Sequence, residues 1–247
     1  MFEAIKRWMS AEPPGPDWAG VAAWAKEHQY GFKRAKDNEG FVIDGTFGDS
    51  PWRLEWGPPQ RSYITTQELR IRMELHLPSD LQMLLLSRPL MEMLEGETFD
   101  RYTQSTQTQI DLSTPEEMRW LAMFPKSTLM LPKGVRTHFG TVASNPKAAI
   151  AWVDTVVAAQ LELAAQSWLR DAPPFLLMTL RGRLYLRLQL DPPEPSAVAG
   201  AVALFDVAAQ SAMRVAGMGH EGAAEWPSSG ASTAWQTQLE DPGEPGR

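Results

Sequence analysis

The sequence predicts an α+β fold: an antiparallel sheet covered by helices and followed by a disordered acidic tail. The clearest sign of a strand is the stretch 69–77, in which large apolar residues alternate with Arg70, Arg72 and Glu74. Such alternation gives a strand one buried and one solvated face, which is typical of antiparallel sheets. Elsewhere, above all in 146–170, apolar residues recur every three to four positions and indicate helices.

The N-terminal segment 1–11 is predicted to be an amphipathic helix. Phe2, Ile5 and Trp8 fall on one face at helical spacing, with two basic residues beside them. We expect this helix to pack on the protein's own core, and docking on a membrane surface is the alternative. Because the segment lacks the apolar run and cleavage site of a secretory signal, we expect a soluble, cytoplasmic protein. A proline-rich linker at 12–16 precedes the next helix.

A second helix and a β-hairpin follow this linker. The helix is predicted at 17–29, with Asp17 as its N-cap, because its apolar residues share one face. The period then changes to two, and the turn residues 48–51 join two strands over 41–56.

The middle of the chain gives weaker signals. The apolar run 81–86 fits either a strand or a helix, and a helix over 88–95 is expected to stop at Gly96. The segment 98–110, rich in Thr and Gln, is interpreted as an exposed strand or a loop.

Two further helices are recognised from their ends or their stripes. Thr114, Pro115 and Glu117 form the pattern of a capping box, which predicts a helix that ends near residue 124. The last helix is predicted at 196–216, where apolar residues again follow one face.

The longest helix is predicted at 146–170 and is apolar on two sides. One stripe contains Ile150, and a nearly opposite stripe contains Trp152, Val156 and Leu163. A helix of this kind must cover both faces, so it is either sandwiched inside the domain or lends one side to a second subunit.

A second hairpin is predicted at 175–190, turning at Arg181-Gly182-Arg183. Helix, hairpin and Pro-Pro follow one another at 17–59 and again at 146–193. Two related α-β-β units are therefore an open alternative within the α+β class.

The chain is expected to form a single domain over 1–216. The remaining segment, 217–247, is rich in Gly, Pro and Ser and carries five acids against one arginine, which predicts a disordered tail. Trp226 and Trp235 stand out in that tail as candidate anchors for a protein partner, because buried indoles often carry interface energy.

Composition excludes several functional classes. The net charge of −7 argues against binding to a nucleic-acid backbone, and the absence of cysteine excludes disulfides, thiol nucleophiles and zinc–thiolate sites. The four histidines are too far apart in sequence for a helical zinc pair, and no phosphate-binding glycine motif opens a helix. No metal and no cofactor is therefore predicted.

One pattern suggests catalysis. Ser144 and Lys147 have the Ser-x-x-Lys spacing, which places a nucleophile and its base one helical turn apart. Capping of a helix that begins at Pro146 explains the same residues and is the favoured interpretation.

Arg181, Arg183 and Arg187 form the remaining candidate group. If their strand shares a sheet with Arg70 and Arg72, the guanidinium groups could bind an acidic partner, although cross-strand ion pairs are favoured.

The leading prediction is a bacterial, soluble interaction or scaffold protein without catalytic activity, which binds a protein partner or itself. A hydrolase or transferase using Ser144 and Lys147 is the first alternative. A peripheral membrane protein that docks through residues 1–11 is the second.

Overall fold

The computed structural model describes residues 18–35, 39–104 and 114–223, and the side chains of 101–104 and 219–223 are left aside. Within these ranges the chain forms an eight-stranded antiparallel sheet and seven α-helices, which confirms the predicted α+β class. The predicted helix at 1–11, the linker at 12–16, Asp17, Trp226 and Trp235 lie outside the described residues.

The strands follow the sheet order β1-β2-β3-β4-β8-β7-β5-β6. In chain order they are β1 Gly31–Arg34, β2 Phe41–Phe47, β3 Ser50–Gly57, β4 Glu68–Glu74, β5 Met83–Ser87, β6 Phe139–Ala143, β7 Phe175–Leu180 and β8 Arg183–Gln189. Both predicted hairpins are present, as β2·β3 and β7·β8. The turn of the second hairpin has positive φ at Arg181 and Gly182, the geometry of a two-residue hairpin loop.

The helices are α1 Ala19–Glu27, α2 Arg88–Gln104, α3 Glu116–Met123, α4 Lys133–His138, α5 Pro146–Trp152, α6 Thr155–Gln166 and α7 Pro195–Ala223, with a 3-10 turn at Thr128–Met130. α2 continues through Gly96, which was expected to end it, and α7 continues through Gly217, beyond its predicted end at residue 216. A glycine inside a helix costs only about 1 kcal/mol, and packing of the same helix outweighs this. The segment 98–104, expected to be strand or loop, is therefore helical.

Both faces of the sheet carry apolar clusters. On the first face, α1 and α4–α7 pack on residues such as Ile43, Leu54 and Leu186. On the second face, α2 and α3 pack on Leu84, Leu86 and their neighbours in β6 and β7. Helices therefore cover both faces of this half of the sheet, and the fully buried strand β5 is apolar at four consecutive positions for that reason.

The long helix predicted at 146–170 is broken. Helices α5 and α6 are inclined by 70° to each other. Asp154 lies in the break and caps α6, since its carboxylate accepts hydrogen bonds from the backbone N–H groups of Val156 and Val157 at 2.9 Å. Ser211 of α7 donates to the buried carbonyl of Trp152 at 2.8 Å. Side chains thus satisfy the carbonyl of Trp152 at the end of α5 and two backbone N–H groups at the start of α6.

Helix α7 is long and apolar enough, by length and composition, to cross a membrane between Pro195 and Met218. More than half, 56%, of the apolar 18-residue window within this stretch is buried inside the fold. It packs against α1, α5 and α6, which is the situation of a core helix.

Candidate functional site

Ser144 does not adopt the geometry of a nucleophile. Its hydroxyl donates to the carbonyl of Asp80 at 2.8 Å, and its backbone N–H donates to Gln82. The cap of α5 is the next residue, Asn145, whose side chain accepts hydrogen bonds from Lys147 N at 3.0 Å and from Ala148 N. A hydroxyl that gives its proton to a backbone carbonyl is not activated by a base. The four-residue pattern is accounted for by helix capping.

A cavity of about 520 Å³ lies beside this helix end. Lys147 and Asn145 belong to its wall, together with apolar residues of α5 and α7 such as Ala151 and Val215, but Ser144 is not among its lining residues. Ser144 and Lys147 therefore do not line this cavity together.

The three arginines of the second hairpin are held in ion pairs. Arg181 reaches Glu116 at 3.4 Å, Arg183 pairs with Glu74, and Arg187 pairs with the fully buried Glu68. β4 and β8 are adjacent, so Arg70 lies directly opposite Arg187 as the predicted shared sheet requires. Glu68 accepts hydrogen bonds from both guanidinium groups and offsets their repulsion.

Further ion pairs lie on the second face over β2, β3 and β4. No helix in the described ranges covers β2, β3 and β4 there, and a cavity of about 610 Å³ borders these ion pairs. Burial acts to raise the pKa of Glu55, but the hydrogen bond from Arg53 and the charges of Arg70 and Arg72 outweigh it and hold that pKa below its usual value. The arginines here already have carboxylate partners.

A buried polar cluster lies where this face meets α3. Glu117 is 1% exposed and accepts hydrogen bonds at one oxygen from Arg61 Nε, at 2.7 Å, and from the Tyr63 hydroxyl, at 2.8 Å. Burial first, and the neighbouring carboxylate second, raise the pKa of Tyr63 well above its usual value. Glu117 was expected to close a capping box, but the N-cap of α3 is Pro115 and has no side-chain hydrogen bond.

This cluster fastens the loop between β3 and β4 onto α3. Tyr63 and Ile64 are buried in the apolar cluster of the second face, and Arg61 pairs with one carboxylate oxygen of Glu117. The other oxygen of that carboxylate is buried and has no hydrogen-bond partner among the described residues. None of the described cavities borders Glu117. The cluster therefore brings together a buried acid, a buried hydroxyl and the guanidinium group of Arg61, whose side chain is 27% exposed.

The helix residues predicted to bind a partner are separated by the break. Trp152 is fully buried, and its indole N–H donates to Ala208 O at 2.9 Å, so its assignment to a partner-facing surface is corrected: it is a core residue. Val156 and Leu163 are 52% and 58% exposed. They form an outer apolar stripe of α6 together with the exposed Ala159.

A groove with exposed apolar walls lies between α2 and α3. Its volume is about 550 Å³, and its lining comprises Glu95, Thr98, Phe99, Leu121, Ala122, Met123 and Lys126. Phe99 is 67% exposed and Met123 is 60% exposed. Phe99 was not predicted as a site residue, because the segment 98–110 was expected to be a strand or a loop. The only available signal was the helical spacing of Met91, Leu94 and Thr98.

Polar atoms complete the groove. Lys126 pairs with Glu95 at 2.8 Å and closes one end. The hydroxyl of Thr98 and one carboxylate oxygen of Glu95 are buried and have no hydrogen-bond partner in the part of the chain that the structure describes. Among those residues no group of three acids or histidines is placed to hold a metal ion.

No family model and no curated protein matches the chain. One solved structure that resembles it is the crystal structure of the mycobacterial trehalose monomycolate transport factor A, TtfA. The TM-score is 0.45 and the identity is 9%, over 80% of this chain and 94% of that chain. A likeness of this degree says nothing about what the chain binds.

Proposed function

We propose that this protein acts by binding, without catalysis, and that the groove between α2 and α3 holds an amphipathic helix of a protein partner. The observation that carries the proposal is the pair of exposed apolar walls, Phe99 and Met123, on either side of a groove with a buried floor at Leu121. Large apolar side chains at the edge of a concave surface are typical of sites that receive a helix.

The chemistry of the groove supports a helical ligand. Met123 is flexible and polarisable, so it adapts to the apolar face of a helix. The ion pair between Glu95 and Lys126 supplies a polar rim, and the wall of the groove contains Thr98, whose buried hydroxyl has no hydrogen-bond partner among the described residues. A buried polar atom without a partner costs about 1–3 kcal/mol, which a ligand that satisfies it recovers.

The test uses a photo-crosslinking residue placed in the full-length chain at position 123 or, as the matched control, at position 163. In an extract of the source cells we expect a heterologous protein to be captured from position 123 and not from 163. The purified partner is then expected to bind Met123→Glu at least tenfold more weakly than wild type, and Val156→Glu equally well. Capture from 163 alone, or esterase activity that Ser144→Ala abolishes, would overturn the proposal.

Self-association through α6 is the second candidate, favoured by the exposed stripe of Val156, Ala159 and Leu163. Its signature in the same experiment is a crosslink from position 163 to a second copy of the chain. Light scattering over a concentration series is then expected to give a dimer for wild type and a monomer for Leu163→Glu.

A further inference from the structure

The 3-10 turn between α3 and α4 presents two large apolar side chains to solvent. Leu129 is 84% exposed and Met130 is 62% exposed, while Thr128 and Leu131 on either side are 7% and 3% exposed. A 3-10 turn has three residues per turn, so the first and fourth residues face the same way. Thr128 and Leu131 therefore anchor the turn inward, and Leu129 and Met130 project outward.

The backbone of this turn is held firmly. Thr128 and Thr141 of the edge strand β6 are joined twice, since the Thr128 hydroxyl accepts a hydrogen bond from Thr141 N at 3.0 Å and donates to Thr141 O. Ser127 N also donates to Thr141 O, and Arg136 of α4 donates to Leu129 O at 3.1 Å. The apolar side chains thus project from an ordered support, which lowers the entropy that a binding partner must remove.

The surroundings of the turn are basic. The segment 126–138 contains Lys126, Lys133 and Arg136 and no acidic residue. Lys126 is paired with Glu95, whereas no ion pair joins Lys133 or Arg136 to a carboxylate in the part of the chain that the structure describes. Besides Glu95, the carboxylate of Glu162 also packs on this segment, where it lies against Gly134.

We propose that Leu129 and Met130 insert into the interfacial region of a membrane that contains anionic lipid, with Lys133 and Arg136 lying over the headgroups. Two projecting apolar side chains bury their surface in the acyl boundary, and nearby cations are attracted to the negative surface potential. Charge complementarity favours anionic lipid over a neutral surface. The site is independent of the groove and of residues 1–11.

The decisive experiment exploits the absence of cysteine from the chain. Met130→Cys is labelled with an environment-sensitive nitrobenzoxadiazole dye in the full-length protein, and Leu163→Cys, labelled in the same way, is the control. With vesicles of phosphatidylcholine and 30% phosphatidylglycerol, we expect a blue shift and an increase in emission at position 130 and no change at 163. Vesicles of phosphatidylcholine alone are expected to give a much smaller response.

Co-sedimentation with the same vesicles measures the contribution of each part. Leu129→Ser with Met130→Ser is expected to reduce binding at least fivefold, and Met213→Ser, at an exposed apolar residue of α7, to leave it unchanged. Lys133→Gln and Arg136→Gln are each expected to reduce binding about fivefold, and added salt to reduce it further. Circular dichroism confirms that each variant folds.

Three outcomes would overturn the proposal. The first is no binding to anionic vesicles by the wild-type chain. The second is binding that the serine variant at 129 and 130 leaves intact, which would assign docking to another segment such as residues 1–11. The third is a dye response at position 130 that rises with protein concentration in the absence of vesicles, which would mean that the turn contacts a second copy of the chain.

Discussion

Two neighbouring glutamates at the start of α3 have different environments. Glu117 is buried and joined to Arg61 and Tyr63, whereas Glu116 lies nearer the surface, where it pairs with Arg119 and Arg181. Removing one partner of a buried ion pair leaves the other charge uncompensated, which costs far more than the loss of an exposed pair.

We expect Glu117→Ala to lower the free energy of unfolding by about 3 kcal/mol, because Arg61 and Tyr63 lose their acceptor. Glu116→Ala is the matched control and is expected to cost less than about 1 kcal/mol. Urea unfolding monitored by tryptophan fluorescence measures both. Equal losses in the two variants would show that the cluster around Glu117 does not fasten the β3–β4 loop.

For individual residues, the sequence predicted the helix face on which a side chain lies better than the groups that it contacts. Val156 and Leu163 were expected on one apolar stripe and are exposed together, but Trp152 on the same stripe is buried because the helix bends between them. Glu117 fits a capping pattern equally well whether or not a distant arginine reaches it. Only the path of the β3–β4 loop brings Arg61 to it.

Among the elements, the break between α5 and α6 depends on one capping carboxylate. Burial acts to raise the pKa of Asp154, but hydrogen bonds from Val157, Arg214, Ser211 and Val156 outweigh it and lower that pKa below its usual value. A lowered pKa means that the ionised form stabilises the folded state above the unfolded pKa of about 4. That stabilisation is lost as the pH falls through the folded pKa.

We expect Asp154→Ala to lower the free energy of unfolding by about 1–2 kcal/mol at pH 7, through loss of the cap and of the pair with Arg214. The difference from wild type is expected to shrink below about pH 4. Asn145→Ala, which removes the cap of α5 without removing a titratable group, is expected to cost about 1 kcal/mol at every pH. Urea unfolding between pH 2.5 and pH 7 tests this. A constant difference for Asp154→Ala would contradict it.

The two hairpins and β4 were predicted closely, whereas β1 and β6 were not predicted, β5 was left open between strand and helix, and several helix ends were missed. The alternation in β4 and the turns at 48–51 and 181–183 reflect local chemistry, which a sequence states directly. The ends of α2 and the break at Asp154 depend on packing against the sheet and α7. Apolar stripes alone do not reveal that a helix changes direction.

In the whole molecule, two apolar clusters share one sheet. In β5, Leu85 faces the cluster under α1 and α4–α7, and Leu84 faces the cluster under α2 and α3. Because one strand, β5, carries both side chains, a displacement of this strand disturbs both clusters.

We therefore expect Leu84→Ala and Leu85→Ala each to lower the free energy of unfolding by about 2–5 kcal/mol, as both residues are fully buried. Both variants are expected to unfold in one cooperative transition with an unchanged denaturant slope. Far-ultraviolet and near-ultraviolet circular dichroism give the measurement. Transitions that separate in either variant would mean that the two clusters melt independently.

The fold class could be predicted from the helical and strand periods of the apolar residues, but the candidate site could not. The groove between α2 and α3 is made of side chains such as Phe99 and Met123, whose exposure is decided by how two helices pack on β5 and β6. Leu129 and Met130 are an ordinary apolar pair in the sequence until Thr128 and Leu131 turn inward. Whether an apolar side chain is exposed depends on how the whole chain folds, and local sequence patterns predict it poorly.

The sheet consists of two four-stranded halves that meet at one ladder, β4·β8. The first half is contiguous in the chain up to β4, and the second begins at β5, so residues 75–82 form the bridge between them. A gene interrupted at this bridge would encode two polypeptides, each keeping the backbone pairing of its own four strands. The architecture is thus suited to being divided between two chains and rejoined along a single seam.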